Sequence, residues 1–235
     1  MDEIRGNQPT YSYPKRVVVR YPDTRQAPAL PTIIESSERP EVALPATFQA
    51  YLHLVRADLY RKKERTDWVT LAKTLYSDMG FKHCFWLRTC TFTKKKRSLR
   101  TVYPLVRAIY LHYQHKHGIW IAPGTQIGPG LYINHVGGIV VNSRAKIGRN
   151  CNLSHGVTLG QANRGNSVGS PILGDNVFVG PGAKVIGAVE VGDNAAIGAN
   201  SVVTKDVPAR AVVVGAPAKI ISYKSSSGYI NATDY

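Results

Sequence analysis

Acidic residues are missing from the middle of this chain. Residues 79 to 174 contain no Asp or Glu, and the whole chain has 15 of them against 30 Lys and Arg. Cysteine is scarce as well. Cys84, Cys90 and Cys151 are odd in number and lack metal-ligand spacing, so they read as buried thiols rather than bridges or zinc ligands. No apolar run approaches the roughly 18 residues of a membrane span, and no signal peptide stands at the start. Both absences point to a cytoplasmic, thiol-reduced protein. There is also no RNA- or DNA-binding signature, so the basic balance does not argue for nucleic acid.

What is present is uneven. Residues 1–118 hold 21 Lys/Arg against 10 Asp/Glu, and residues 119–235 hold 9 against 5. The +15 formal charge therefore belongs mainly to the first half, where an anionic ligand or membrane surface would be met. The run Lys94-Lys-Lys-Arg97, followed by Arg100, reads first as a solvated inter-helix loop and second as a weak contact to anionic lipid or a phosphorylated acceptor.

The chain divides into four stretches. Residues 1–45 carry seven of the fourteen prolines and form an extended or disordered leader, with one candidate strand at Arg16–Arg20. Residues 46–118 are helical. A first helix starts at Phe48 behind a Thr47 cap, with Tyr51, Leu52, Val55, Leu59 and Tyr60 on its apolar face. Asp67 caps a second that Gly80 would end. A third spans Phe81 to Phe92, and a fourth runs from Ser98 to His117, with Pro104 near its start and Gly118 as its stop. Residues 119–222 carry the repeats, and 223–235 form a polar tail that packs outside or stays mobile.

In the repeats an aliphatic residue returns every six positions: Ile121, Ile127 and Ile133; then Val141, Ile147, Leu153 and Leu159; then Leu173, Val179, Val185, Val191, Ile197 and Val203. Glycine follows directly at seven of these, including 128, 148 and 160. A period of six with glycine at fixed phase is the pattern of a parallel β-helix, in which each hexad supplies one short strand and one corner. The phase slips by two residues after Ile133, which pushes His135 outward at a corner. His155 lies in the Leu153–Leu159 hexad, where it can reach the same cleft. A longer interruption, Gln161 to Ser170, contains Asn163 and Arg164. A polar loop leaving a rigid solenoid is where binding residues gather.

Gly130-Leu-Tyr-Ile-Asn-His-Val-Gly-Gly-Ile139 resembles the active-site segment of serine acetyltransferases. Gly198-Ala-Asn-Ser-Val-Val-Thr-Lys-Asp-Val-Pro208 and Gly215-Ala-Pro-Ala-Lys219 are similar to the C-terminal signature of hexapeptide-repeat acetyltransferases. Ser154–Gly160 and Asn163–Gly165 resemble enzymes linked with polysaccharide synthesis. The resemblance covers about residues 50–222. It implies a mainly β fold, a left-handed parallel β-helix of hexapeptide repeats preceded by a small α-helical region. It further implies a homotrimer, acetyl-CoA as co-substrate without a metal, and direct acetyl transfer to a hydroxyl. Position by position it makes His135 the general base, with His155 beside it as a second catalytic candidate. Gly160, Gly182, Ala199, Thr204, Lys205 and Lys219 fall at coenzyme positions, and Asn134, Asn163 and Arg164 are candidates for acceptor contacts.

Two departures bear on the acceptor. Ser170 stands where the family has a second histidine, and Trp120 where it has the carboxylate that orients the base. L-Serine and a sugar hydroxyl of a glycan are both open, and the basic helical region tilts the reading toward the glycan. A non-catalytic trimeric scaffold is the alternative from another class. A zinc carbonic-anhydrase-like β-helix is disfavoured, because the repeats offer only His135 and His155 where three convergent histidines are needed. With Asp175 the nearest downstream acid, His135 is expected to be oriented by a neutral acceptor, a backbone carbonyl or an amide oxygen such as that of Asn134.

Overall fold

The computed structural model describes residues 44–165 and 167–235. The leader's residues up to 43, with the candidate strand at Arg16–Arg20, lie outside the described residues. Four α-helices precede a three-sided β-helix: α1 (Phe48–Lys63), α2 (Trp68–Ser77), α3 (Met79–Lys95) and α4 (Tyr103–His117). The α1 and α2 caps are as read from the sequence. Thr47 accepts from Ala50 N at 3.1 Å and Asp67 from Thr70 N at 3.0 Å.

The boundary after α2 needs correction. Gly80 does not stop α2; it lies in the first turn of α3, whose cap is Asp78, accepting from Phe81 N at 2.7 Å. Glycine is required there by packing. A Cβ on residue 80 would stand 1.9 Å from the Ile133 carbonyl oxygen. The basic run is also placed differently. α3 continues through Lys95, so Lys94 and Lys95 occupy its last turn, where cations complement the exposed carbonyls. A 3₁₀ turn, Arg97–Leu99, follows, and α4 starts at Tyr103 rather than Ser98, with Pro104 in its first turn.

The β-helix is built from three parallel sheets. The first stacks Ile119–Ile121, Ile139–Val141, Thr158–Gly160, Lys184–Ile186 and Val202–Val203. The second stacks Gln126–Ile127, Lys146–Ile147, Ile172–Leu173 and Glu190–Val191. The third stacks Asn152–Leu153, Phe178–Val179, Ala196–Ile197 and Val212–Val214, and the antiparallel strand Lys219–Ser222 closes it.

The pairing measures each coil. The regular turn of three hexads carries Ile172 to Glu190, Phe178 to Ala196 and Lys184 to Val202. From Trp120 to Val140 the turn is two residues longer, and from Lys146 to Ile172 it is eight longer. These are the His135 bulge and the Gln161–Ser170 loop. The last turn, Val191 to Val207, is two residues short, a contraction the hexad count did not anticipate.

The thirteen hexad residues are all buried, from fully enclosed to 5 % exposed. Enclosing each such side chain stabilises by about 1.5–3 kcal/mol. One corner carries an asparagine ladder. Asn150, Asn176 and Asn194 have φ of 55°, 55° and 59°, and their amides join at 3.0 and 3.2 Å. Asn tolerates this left-handed conformation better than most side chains do.

The tail packs on the outside. Ser226 Oγ donates to Asn176 O at 2.6 Å, the Tyr229 ring stacks on Phe178 at 4.2 Å, and Tyr235 Oη donates to Asn150 Oδ1 at 2.8 Å. The three cysteines are free and buried, and burial pushes the Cys90 and Cys151 thiols up to about 11 and about 12. No helix among the described residues is long and apolar enough to cross a membrane.

The helices dock on the first coil through buried ions. Arg88 donates to Asp58 through Nε (3.0 Å) and Nη2 (3.2 Å), and to the Ile127 and Gly128 carbonyls at 2.7 Å each. Asp58 Oδ1 also accepts Leu131 N at 2.8 Å. Arg61 bonds Gly130 O, Asn152 Oδ1 and Asn231 O, joining α1, two coils and the tail.

Candidate active site

The two-residue excess falls at the corner between the third and first sheets. Ile133 still points inward, so the extra length is taken up over residues 134–138, with Gly137 and Gly138 both at positive φ. Asn134 and His135 are thereby exposed. One coil further on, the same corner is turned by Ser154 to Val157, with Gly156 N donating to Gly137 O at 2.8 Å. That register places His155 beside His135, ring centroids 6.0 Å apart and planes near perpendicular at 78°. The two catalytic candidates are brought together.

His135 has a neutral partner, but a different atom from the one expected. Asn134 Nδ2, not an amide oxygen, lies 2.9 Å from His135 Nε2. With the amide NH₂ toward the ring, this contact pairs with the Nδ1–H tautomer; with the amide oxygen toward the ring, it would pair with the Nε2–H tautomer. Tyr132 Oη donates to Asn134 Oδ1 at 3.3 Å. Asp175 does not approach this corner; it holds Arg149 Nε at 3.0 Å and the Arg149 backbone N–H at 2.8 Å. The nearby acid that sequence reasoning missed is Asp78, brought in by the start of α3. It pairs with Lys62 at 3.1 Å, and Lys62 donates to Ile133 O at 2.7 Å.

The coenzyme candidates separate into three places. Gly182 continues the histidine corner, its N–H donating to His155 O at 2.9 Å, and Ala199 precedes Asn200, which bonds back to Pro181 O. At Gly182 a Cβ would meet Asn200 Oδ1 at 2.1 Å, so neighbouring coils already require glycine. Gly160 lies on the first sheet, where a Cβ would meet Ile186 Cδ1 at 2.7 Å. Thr204, Lys205 and Lys219 line a cavity of about 170 Å³ at the C-terminal end, with Pro217 and Ile220.

The acceptor candidates from the loop stand apart from the histidines in the hydrogen-bond network. Ala162 and Gly169 pair across the base of the loop, and Ala188 N bonds Ser167 O, folding it onto the next coil. Asn163 accepts from Gln161 Nε2, and Arg164 is exposed. Ser170 Oγ donates to Asn142 Oδ1 at 3.1 Å. Trp120 is exposed on the first sheet with its ring edge-on to His115 at 4.9 Å.

This arrangement can remove a proton from a hydroxyl. The His135 imidazole is exposed at its corner, and a second imidazole stands beside it.

Comparison with known proteins agrees with the fold. The family described as "Bacterial transferase hexapeptide (six repeats)" matches residues 170–205. The chain is 44% identical over 123 residues to the serine acetyltransferase of Helicobacter pylori strain J99, spanning 52% of this chain and 72% of that protein. It is 42% identical over 110 residues to the serine acetyltransferase of Mycobacterium tuberculosis, spanning 47% of this chain but only 48% of the relative. Among solved structures, Neisseria gonorrhoeae serine acetyltransferase in complex with serine superposes with a TM-score of 0.61 at 30% identity, covering 74% of this chain and 70% of that one. The Brucella abortus enzyme in complex with coenzyme A gives 0.62 at 28% identity, covering 74% and 69%.

Proposed function

The chain belongs to the serine acetyltransferase family, and from that premise we propose that His135 is the general base of an acetyl-CoA-dependent O-acetyltransferase whose acceptor is L-serine. The observation that carries the reading is the paired-histidine corner, with His135 exposed on its bulge beside His155.

The acceptor hydroxyl replaces the Asn134 amide as donor to Nε2. As its proton passes to Nε2, the hydroxyl oxygen bonds to the thioester carbonyl carbon. The carbonyl oxygen takes the negative charge, which returns as the carbon–sulfur bond breaks. The imidazolium then gives its proton to the departing thiolate, leaving an acetyl ester, a free thiol and neutral His135. Proton transfer of this kind contributes about 10²–10⁴-fold. His155 supports the acceptor oxygen from the adjacent coil.

Gly182 and Ala199 continue this corner toward the C-terminal end, where Lys205 and Lys219 supply charge for the coenzyme's phosphates. The histidine corner is open on a single β-helix, and a homotrimer would close it against a neighbouring copy. Asn163 and Arg164 then offer acceptor contacts from the loop. A sugar hydroxyl is the second reading, favoured by Trp120 and Ser170 at positions where the family carries a carboxylate and a histidine.

The test is thiol release from acetyl-CoA with L-serine and with a panel of nucleotide sugars and oligosaccharides, for the native chain and His135→Ala. Turnover with L-serine is expected, falling by about 10²–10⁴-fold in the variant while acetyl-CoA affinity holds. Transfer to a sugar but not to serine would overturn the acceptor assignment. A parallel loss of coenzyme binding would overturn the base assignment.

A further inference from the structure

We infer that Lys184 is a positioning residue for His155, holding the histidine corner in place through the Gly156 carbonyl. The inference rests on the reading that His155 supports the acceptor oxygen. Its own claim is that an ammonium from the next coil stands in for a backbone donor that the corner lacks.

The backbone bonds of this corner leave one gap. Gly156 N donates to Gly137 O at 2.8 Å, and the His155 carbonyl accepts Gly182 N at 2.9 Å. No backbone N–H among the described residues reaches the Gly156 carbonyl, the next acceptor along. The turn itself offers no side chain for it, since both coils turn on glycine here, Gly156 with φ of 71° and Gly182 with φ of 70°. A Cβ on residue 156 would stand 3.3 Å from Gly182 Cα, so the two backbones are in close contact. A carbonyl in such a place needs a donor from elsewhere.

Lys184 supplies it. It sits on the first sheet, paired with Thr158, and its Nζ donates to Gly156 O. The residue is half-buried, and among the described residues its ammonium makes no ion pair. The charge is therefore committed to the corner rather than to a carboxylate, and a charge-assisted bond of this kind is roughly twice as strong as a neutral one. On the other side of the histidine pair, Lys62 donates to Ile133 O at 2.7 Å, just before Asn134-His135. Each histidine thus has a neighbouring carbonyl held by an ammonium, Lys62 from α1 for His135 and Lys184 from the next coil for His155.

The experiment combines steady-state kinetics with NMR spectra of the histidine rings, on the native chain, Lys184→Met and Lys184→Arg, with the kinetics repeated in a His155→Ala background. Lys184→Met keeps the length of the side chain and removes the donor. It is expected to lower kcat with L-serine roughly tenfold, as a small misplacement of a reacting group does, with the KM for acetyl-CoA unchanged. Lys184→Arg keeps charge and donors and should recover most of that rate. In the His155→Ala background, Lys184→Met should cost less than about twofold, because the group it positions is gone. The His155 ring signals should shift in Lys184→Met and return in Lys184→Arg, while those of His83, buried in the helical region, stay in place. An equal loss of rate in both backgrounds would overturn the inference. So would His155 signals unmoved in Lys184→Met, whatever happens to the rate. An active His135→Ala enzyme, or no turnover with L-serine, would sink the proposed function instead, and the ring signals would still decide the role of Lys184.

Discussion

Replacing Asp58 by Ala should loosen the helices from the β-helix, at a cost set by the groups left behind. Asp58 is 1% exposed and receives three donors, two from Arg88 and one from the Leu131 backbone. Truncation leaves the Arg88 guanidinium, whose side chain is 6% exposed, without its counter-charge, and leaves Leu131 N–H without an acceptor. Arg88 retains the Ile127 and Gly128 carbonyls, so it is not stripped of hydrogen bonds, only of neutralisation. Breaking a buried pair from one side costs about 3–5 kcal/mol. For a chain of this size each kcal/mol moves the midpoint by about 2–4 °C, so Tm should fall by about 6–20 °C. Thermal melts followed by circular dichroism give the number, and urea titration gives a second estimate. The double variant Asp58→Ala/Arg88→Met removes both ions, so its loss should be smaller than the sum of the two single losses. Simple additivity of the singles, or an Asp58→Ala midpoint within 2 °C of the native chain, would refute the reasoning.

Two further outcomes can be checked. His83 is fully buried between α3 and α4, and burial, then the His117 charge, lowers its pKa to about 3. A lowered folded pKa means the neutral ring's contribution is complete above the unfolded value near 6.5 and is lost as pH falls from there toward 3. Between pH 7 and pH 5 the loss is about 2 kcal/mol, and His83→Asn should flatten the pH dependence of Tm over that interval. The second concerns assembly. Sedimentation equilibrium should return three times the 25.8 kDa chain mass, and a fully active species of single-chain mass would contradict a shared site.

The β-helix was legible because its period is local. An inward aliphatic residue every six positions reports each strand directly, and both insertions were visible as phase slips at His135 and at Gln161–Ser170. The contraction after Val203 was not, because Val207 and Val213 supply inward residues at a shifted phase and glycine no longer marks it. Helix boundaries failed where the cause was tertiary. Gly80 reads as a stop until Ile133 O is found against it, although Asp78 three residues before Phe81 was an available capping signal. His135 and His155 could be paired from the coil length. Lys62 and Asp78 could not, since Lys62 meets Asp78, Tyr132 and Ile133 only after α1 and α3 have docked.

That docking explains why the helices matter to the site they precede. A bulge of two residues interrupts the ladder at the His135 corner, over residues 134–138. Gly156 N to Gly137 O fixes the far side of the bulge. The near side is fixed from α1 and α3: Lys62 on Ile133 O, the Gly80 backbone against the same carbonyl, and Asp58 on Leu131 N. A hydroxyl-activating imidazole gains from being aimed before the acceptor arrives, because effective molarity falls steeply with small errors in placement. On the proposed reading, that aim comes from a hydrogen-bonded corner on one side and the largely buried Lys62 on the other, and the region lacking acids borrows one carboxylate, Asp78, to balance that cation.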